Sequence, residues 1–309
     1  MRRADRKRWI GGLAAAACGV ALATTASGSR HQGPKGEHHP QPAKSTARPN
    51  NPRSLRAKHR PTRFRRRLAP LLKLTSRPCC YGKDHAGAIL GHSVDGRPIR
   101  VEAWPSAAGT AIGANPKAKV LVFGCIHGTE CAGRKVVRLI GGDCPPYTSI
   151  WAVPNLNPDG FELGTRLNGR GVDLNRNFSS EWRPIGQRYD LEYSGPHPFS
   201  EPETRLAARL IRLIHPRITI WFHQEAEPMV RAWGQSVPVA RDYARMAELP
   251  FRRLPWLAGT APNWQNHRFP HTASFVVELP LGVPKAEAAR RYASAAWQLT
   301  RDAIHPLKR

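Results

Sequence analysis

The chain has 309 residues, of which 48 are lysine or arginine and 22 are aspartate or glutamate, giving a formal net charge of +26. This charge is uneven, because residues 1–78 hold 19 basic and two acidic residues whereas residues 79–309 are only moderately basic. The distribution predicts a basic leader and linker joined to one globular domain, and the lack of any C-x-x-C pair argues against a cysteine-based zinc site.

The first residues have the pattern of a secretory signal. A positive stretch at residues 2–8 precedes an apolar run at 9–23 that is rich in alanine and glycine. Small residues at 24–29 follow and offer a cleavage site. We therefore expect residues 1–29 to direct export to the cell envelope or beyond the cell, with an uncleaved membrane anchor as the alternative.

The next segment, residues 30–78, shows neither helical nor strand periodicity and is rich in proline, arginine, lysine and histidine. Such a composition buries too little apolar surface to offset the entropy of ordering the chain. We predict a disordered linker, either a solvated spacer or a salt-sensitive contact to an anionic cell-wall polymer. A nucleic acid is the less favoured partner because an export signal precedes the linker.

Residues 79–309 alternate strand and helix patterns. The Asp95-Gly96 pair predicts the turn of a hairpin within residues 89–104. Further strands are predicted at 119–124, 149–154, 218–223 and 274–279, and helices at 133–140, 203–214, 240–249 and 284–304. This alternation predicts a single α/β domain with a mixed, mostly parallel sheet flanked by helices on both faces.

Candidate catalytic residues follow or end the predicted strands. His127 and Glu130 form an H-x-x-E motif after one strand, and His223 ends another. Two histidines and one glutamate are the ligand set of a catalytic zinc site. Glu278 lies late in a third strand, where a carboxylate can take a proton from water. Taken alone it would be expected to close the strand with a salt bridge, but the neighbouring zinc-binding fragments favour the base. A single histidine at a strand end is more often structural, so the combination of fragments indicates the site.

Longer strings of sequence connect these fragments. Residues 157–160 read N-P-D-G, residues 171–178 read G-V-D-L-N-R-N-F, and residues 194–205 read S-G-P-H-P-F-S-E-P-E-T-R. Their content and order resemble the zinc carboxypeptidase family, and within it the murein peptide amidase A branch. The resemblance covers roughly residues 81–305 and implies the carboxypeptidase-like α/β fold.

The resemblance also implies roles for particular residues. One zinc ion per chain would be held by His127, Glu130 and His223, with Glu278 as the general base. Asn175 and Arg176 match the residues that hold the terminal carboxylate of the substrate, which a guanidinium binds bidentately. Arg166 matches the arginine that stabilises the oxyanion, with Arg170 as the alternative.

The function implied by the resemblance is that of a zinc amidase, and the predicted signal makes it an exported one; we expect a monomer. Its substrate would be a murein peptide, cut between γ-D-glutamate and diaminopimelate. One alternative is a secreted carboxypeptidase that trims ordinary peptides, and another is an inactive wall-binding protein that uses the basic linker.

Two features depart from the family pattern or stay open. The family often places a mobile tyrosine over the substrate, but Tyr243 lies in a predicted helix and cannot be matched to that role. We expect Trp256 and residues 264–268 to form a substrate wall or, equally, ordinary packing and a surface loop. Export favours disulfides, and the pairings considered are Cys131 with Cys144, and Cys125 with Cys79 or Cys80.

Overall fold

The computed structural model describes residues 63–74, 86–104, 118–140, 148–253, 255 and 257–302. The predicted signal at 1–29 lies outside the described residues, as do residues 30–62 and 75–78 of the predicted linker. None of the helices in the part of the chain that the structure describes has the length and apolar character needed to span a bilayer.

One eight-stranded sheet organises the described residues. In chain order its strands are β1 (Ala86–His92), β2 (Pro98–Trp104), β3 (Ala118–Phe123), β4 (Thr148–Val153), β5 (Ile218–Glu225), β6 (Met229–Ala232), β7 (Phe251–Arg253) and β8 (Ala273–Pro280). Their order across the sheet is β1-β2-β4-β3-β5-β8-β6-β7. The pairs β3–β4, β3–β5, β5–β8 and β6–β7 are parallel and the other three are antiparallel, which confirms the mixed sheet.

Helices cover both faces of this sheet. They are α1 (Arg63–Leu74), α2 (Gly133–Arg138), α3 (Pro158–Leu163), α4 (Pro202–Ile214), α5 (Val237–Ala247), α6 (Ala261–Arg268) and α7 (Ala286–Asp302). Successive strand residues face opposite sides, so Phe222 and Val277 belong to one buried cluster and Trp221 and Val276 to the other. Side chains of α2, α5 and α7 join the first cluster, and those of α1, α4 and α6 join the second.

The prediction of disorder is wrong for residues 63–74, which form α1. Leu68 and Leu71 are completely buried in the same cluster as Leu90 of β1. They are three residues apart, so they lie on one face of the helix. The arginines at 63 and 65–67 in its first turns are exposed. They make the composition of the segment strongly basic, which is why composition alone predicted disorder. The folded unit therefore begins before residue 79.

Candidate metal centre and active site

The sheet brings the predicted metal ligands and the predicted base to one edge. In the parallel pair β5–β8, His223 lies directly opposite Glu278. β3 pairs with β5 on the other side, and the H-x-x-E loop follows the end of β3. The carboxyl ends of neighbouring parallel strands are the usual location of sites in open α/β sheets.

The side chains of His127, Glu130 and His223 converge, with one potential ligand atom from each lying within 4.8 Å of the others. The Nδ1 atoms of both histidines lie 2.9 Å from Oε2 of Glu130. Both imidazoles are buried, and the glutamate is mostly so. Two imidazole nitrogens and a carboxylate form a donor set that suits zinc, so these residues fit one zinc ion.

The electrostatics of the centre keep Glu130 ionised. Burial alone would raise the pKa of its carboxyl, but hydrogen bonds from His127 and His223 outweigh burial and hold the pKa far below its usual range. An ionised carboxylate is the form that binds a metal.

Asp173 holds the first histidine in place, and the sequence reasoning did not single it out. Its Oδ1 lies 3.0 Å from Nε2 of His127, and both side chains are buried. Burial would raise the pKa of Asp173, but the charges of His127 and Arg166 outweigh it and lower the pKa. The carboxylate therefore accepts the Nε2–H bond, which leaves Nδ1 of the histidine for a metal. The signal was present, because Asp173 is the acidic residue of the G-V-D-L-N-R-N-F string.

Arg166 ties the ligands to Asp173. Its Nε and Nη2 donate to Oδ2 of Asp173, both at 3.1 Å, and its Nη1 donates to Oε1 of Glu130 at 2.5 Å. Burial alone would lower the pKa of this guanidinium, but the charges of Asp173 and Glu130 outweigh burial and raise the pKa. Arg166 therefore stays charged. Arg170, the alternative, is exposed and lies 3.7 Å from Glu201 instead.

The predicted carboxylate-binding pair lines the same cavity. Arg176 is only 11% exposed, and its guanidinium donates to Glu192, which is 57% exposed. Its Nη1 also donates to the backbone oxygen of Asn175 at 3.0 Å. The side-chain oxygen of Asn175 accepts a bond from the backbone of Ala261 at 3.0 Å, so this end of Asn175 anchors α6.

A cavity of about 190 Å³ joins these groups. Its walls include the three ligands, Arg166, Arg176 and Glu278. Arg231 of β6 also lines it, with Nη1 3.8 Å from Oε1 of Glu278. Sequence reasoning missed Arg231, because a four-residue strand with a charged residue lacks the apolar run that marks the other strands.

Of the two expectations for residues 264–268, the substrate wall is wrong, and the alternative of packing and a surface segment is confirmed. Trp264, Gln265 and Asn266 are buried in the fold. Gln265 donates to Thr219 of β5 at 2.8 Å, and Asn266 exchanges two bonds of 2.9 Å with the backbone of Ser274 in β8. Residues 267 and 268 are exposed, and Pro262 of the same helix lines the cavity instead. Trp256 lies outside the described residues.

Tyr243 does not reach the cavity. It is completely buried, and its hydroxyl donates to the backbone oxygen of Tyr292 at 3.0 Å. Its position in α5 confirms the helix predicted around it.

A disulfide joins Cys125 and Cys131, whose Cα atoms lie 4.6 Å apart. Neither pairing considered for these cysteines is formed, because the turn after β3 brings the two near neighbours together. The closed ring contains two of the three predicted metal ligands, His127 and Glu130. Residues 79, 80 and 144 lie outside the described part of the chain.

Gly128, between the two ligands of the loop, packs against backbone. A Cβ atom there would lie 2.0 Å from the carbonyl carbon of Gly160, so no other residue fits without moving one chain segment. The N-P-D-G segment is itself held by Asn157, whose side chain accepts from the amide of Gly160 and donates to the backbone oxygen of Arg166. The ligand loop thus rests on a second, internally bonded loop.

Part of the chain is similar to a known protein family and to several of its members. Residues 146–281 match the family model described as zinc carboxypeptidase. Murein peptide amidase A of Escherichia coli strain K12 is 39% identical over 79 residues, which cover 22% of this chain and 33% of the relative. Carboxypeptidase SOL1 of Arabidopsis thaliana is 31% identical over 136 residues, covering 40% of this chain and 26% of the relative. The matches thus span about a third or less of these curated relatives.

Solved structures share the fold. The murein-tripeptide amidase of Escherichia coli O157 superposes with a TM-score of 0.54 at 24% identity, covering 72% of this chain and 93% of that one. Carboxypeptidase A of Helicoverpa armigera superposes with a TM-score of 0.59 at 17% identity, covering 77% and 71%. These likenesses confirm the predicted α/β architecture.

Proposed function

We propose that this chain, of which residues 146–281 match the zinc carboxypeptidase model, is an exported hydrolase that cleaves peptides of the cell wall. The convergence of His127, Glu130 and His223 beside Glu278 in one cavity carries this proposal. The proposed bond lies between γ-D-glutamate and diaminopimelate. Support for this substrate class comes from the matched relative named murein peptide amidase A.

The chain's own residues divide the work of hydrolysis. Zinc, when bound, polarises the scissile carbonyl and makes water more acidic. Glu278, directly opposite His223 on the neighbouring strand, is placed to accept a proton from the attacking water and deliver it to the leaving amine.

Arg166 is assigned to the developing oxyanion. A guanidinium has five N–H donors, and three of those of Arg166 are used by Asp173 and Glu130. The remaining donors are available to the substrate, and the bonds already made hold the side chain in position before the reaction starts.

Arg176, with Asn175, is assigned to the terminal carboxylate of the substrate. In the structure, the carboxylate of the largely exposed Glu192 accepts from this guanidinium. A substrate carboxylate can take the place of Glu192 at little cost, because the displaced glutamate returns to water.

The proposed export and attachment to the cell wall rest on the sequence alone. Residues 1–29 have the pattern of a secretory signal, and the basic residues up to position 62 suit an anionic polymer. We keep the trimming of ordinary peptides as a second candidate, because relatives such as Carboxypeptidase SOL1 are named for it. The intact constellation at the cavity argues against an inactive wall-binding protein.

A parallel assay separates these candidates. Zinc-loaded protein is incubated with a γ-D-glutamyl–diaminopimelate peptide and with an α-linked peptide of equal length, and products are identified by mass spectrometry. A preference of about tenfold or more in kcat/KM for the γ-linked peptide supports the proposal. Comparable rates favour the general carboxypeptidase, and no turnover of either peptide overturns both candidates.

A further inference from the structure

Arg231 is a cation in the cavity that the chemistry above does not use. It lies on β6 directly opposite Val276 of β8, two residues before Glu278. Because side chains two residues apart on a strand share a face, Arg231, Val276 and Glu278 all lie on the same side of the sheet. The Arg231 side chain is 28% exposed.

The fold leaves much of the hydrogen-bonding capacity of this guanidinium unused. Among the described residues, Arg231 forms one ion pair, with Glu278 at 3.8 Å, which is longer than a hydrogen bond. Its Nε is buried and has no hydrogen-bond partner within the same set of residues. Burying such a donor without an acceptor is unfavourable, and an anion entering the cavity would supply the missing acceptor.

The position of Arg231 indicates which anion that is. Arg176 lines the same cavity and is assigned to the terminal carboxylate. With Arg166 assigned to the oxyanion and Arg176 to the terminal carboxylate, a third guanidinium in so small a space suits a second carboxylate on the same residue of the substrate. Leu257, Pro262 and Val276 also line the cavity and provide apolar contacts for the carbon chain between the two carboxylates.

We propose that Arg231 binds the side-chain carboxylate of the C-terminal residue of the substrate, so that the enzyme prefers an acidic residue at that position. This inference rests on the proposed peptidase function and deepens it. Diaminopimelate, glutamate and aspartate share the required second carboxylate. Lysine lacks this carboxylate and brings a positive charge towards the guanidinium.

A specificity profile tests the inference. The zinc-loaded full chain is assayed on α-linked peptides that differ only in ending with glutamate, glutamine or lysine, and on murein tripeptides ending in diaminopimelate or lysine. We expect kcat/KM for glutamate to exceed that for glutamine by about tenfold or more, since a charge-assisted bond contributes more than a neutral one.

Three variants of the chain provide the comparison. Arg231→Gln should lower kcat/KM about tenfold or more for the acidic substrates and change the glutamine-ended peptide less than about threefold. Arg231→Lys should retain part of the acidic preference. Arg252→Gln is the matched control, because Arg252 lies opposite Arg231 on β7 but is exposed and pairs with Glu227.

The competing role is positioning of Glu278 by Arg231. In that case Arg231→Gln would lower kcat for all C-terminal residues alike, and the inference would be overturned. An unchanged profile in this variant would also overturn it. Acidic preference on α-linked peptides without cleavage of murein peptides would retain the Arg231 assignment and reject the murein substrate. If no peptide is turned over, binding is measured by calorimetry instead. The Arg231 assignment is then supported if the glutamate-ended peptide binds more tightly than the glutamine-ended one and Arg231→Gln abolishes this difference, and it is overturned if the two peptides bind alike.

Discussion

Nε2 of His127 lies 3.0 Å from Oδ1 of Asp173, and both side chains are shielded from water. This contact selects the nitrogen that faces the other ligands, because Nε2 is engaged and Nδ1 points to Glu130. His223 presents the same atom, Nδ1, to the same carboxylate oxygen. The centre is therefore built from ligands and from a buried acid that orients one of them.

The protein should contain one zinc ion per chain. Replacing His127 and His223 by alanine leaves Glu130 as a single ligand, so the double variant should lose the metal. Elemental analysis after dialysis measures this, with circular dichroism as the test of folding. Full zinc content in the double variant would show that the metal is held elsewhere.

Asp173→Asn should weaken zinc binding about 10–100-fold, the usual effect of losing a partner that orients a ligand. The variant loses the charge that holds the His127 tautomer and accepts two bonds from Arg166. Competition with a chelator gives the affinity. The control is Asp242→Asn, which removes an exposed carboxylate paired with Arg245. Equal affinities in both variants would rule out an orienting role.

Glu278→Gln should keep zinc and fold but lower kcat about 10²–10⁴-fold, because the amide cannot take a proton from water. Turnover of a C-terminal peptide and zinc content are measured on the same preparation. A near-normal kcat with intact zinc would make Glu278 a structural residue.

Opening the Cys125–Cys131 disulfide should weaken zinc binding. The two cysteines are six positions apart. Closing so short a ring lowers the conformational entropy of the unfolded loop, which corresponds to a stabilisation of roughly 2 kcal/mol. Zinc affinity is compared between oxidised protein, reduced protein and a Cys125→Ala, Cys131→Ala variant. An affinity independent of the bond would mean that packing alone orders the loop.

Glu203 should make the stability of the domain depend on pH. Burial raises the pKa of this α4 carboxyl to about 7 from an ordinary 4.5, so the folded state favours its protonated form. The associated stability is complete below about pH 4.5 and is lost as the pH rises through about 7, a difference of roughly 3 kcal/mol.

Urea unfolding at pH 5 and pH 8 tests this dependence. The free energy of unfolding of the parent protein should fall relative to that of Glu203→Gln between these two values. Glu248→Gln, at an exposed residue paired with Arg291, is the control and should show no such trend. A difference that does not change with pH would contradict the titration of Glu203.

Sequence reasoning could select the three residues that converge in the structure because their chemistry is distinctive and because strand exits are visible in the apolar pattern. His127, Glu130 and His223 are residue types that bind zinc, and they follow or end clear β-branched runs. Asp173 was overlooked because the string that contains it marks the segment, whereas its burial against His127 depends on the fold around it.

The other misses have a common physical cause, which is that burial depends on partners distant in the chain. Gln265 and Asn266 suggest a polar substrate wall, but bonds to β5 and β8 compensate their burial. Leu68 and Leu71 are too few to mark a helix until β1 supplies a surface for them. The Cys125–Cys131 pair depends on the shape of a turn that local composition does not determine.

The close approach of Gly128 to Gly160 also couples motions in the active site. The amide of Gly128 donates to the backbone oxygen of Arg166 at 3.3 Å, so the loop cannot separate from that segment without breaking this bond. A shift in the backbone at Arg166 would therefore be passed on to the loop that carries His127 and Glu130. The residue assigned to the oxyanion and two of the proposed metal ligands are in this way linked through backbone contacts.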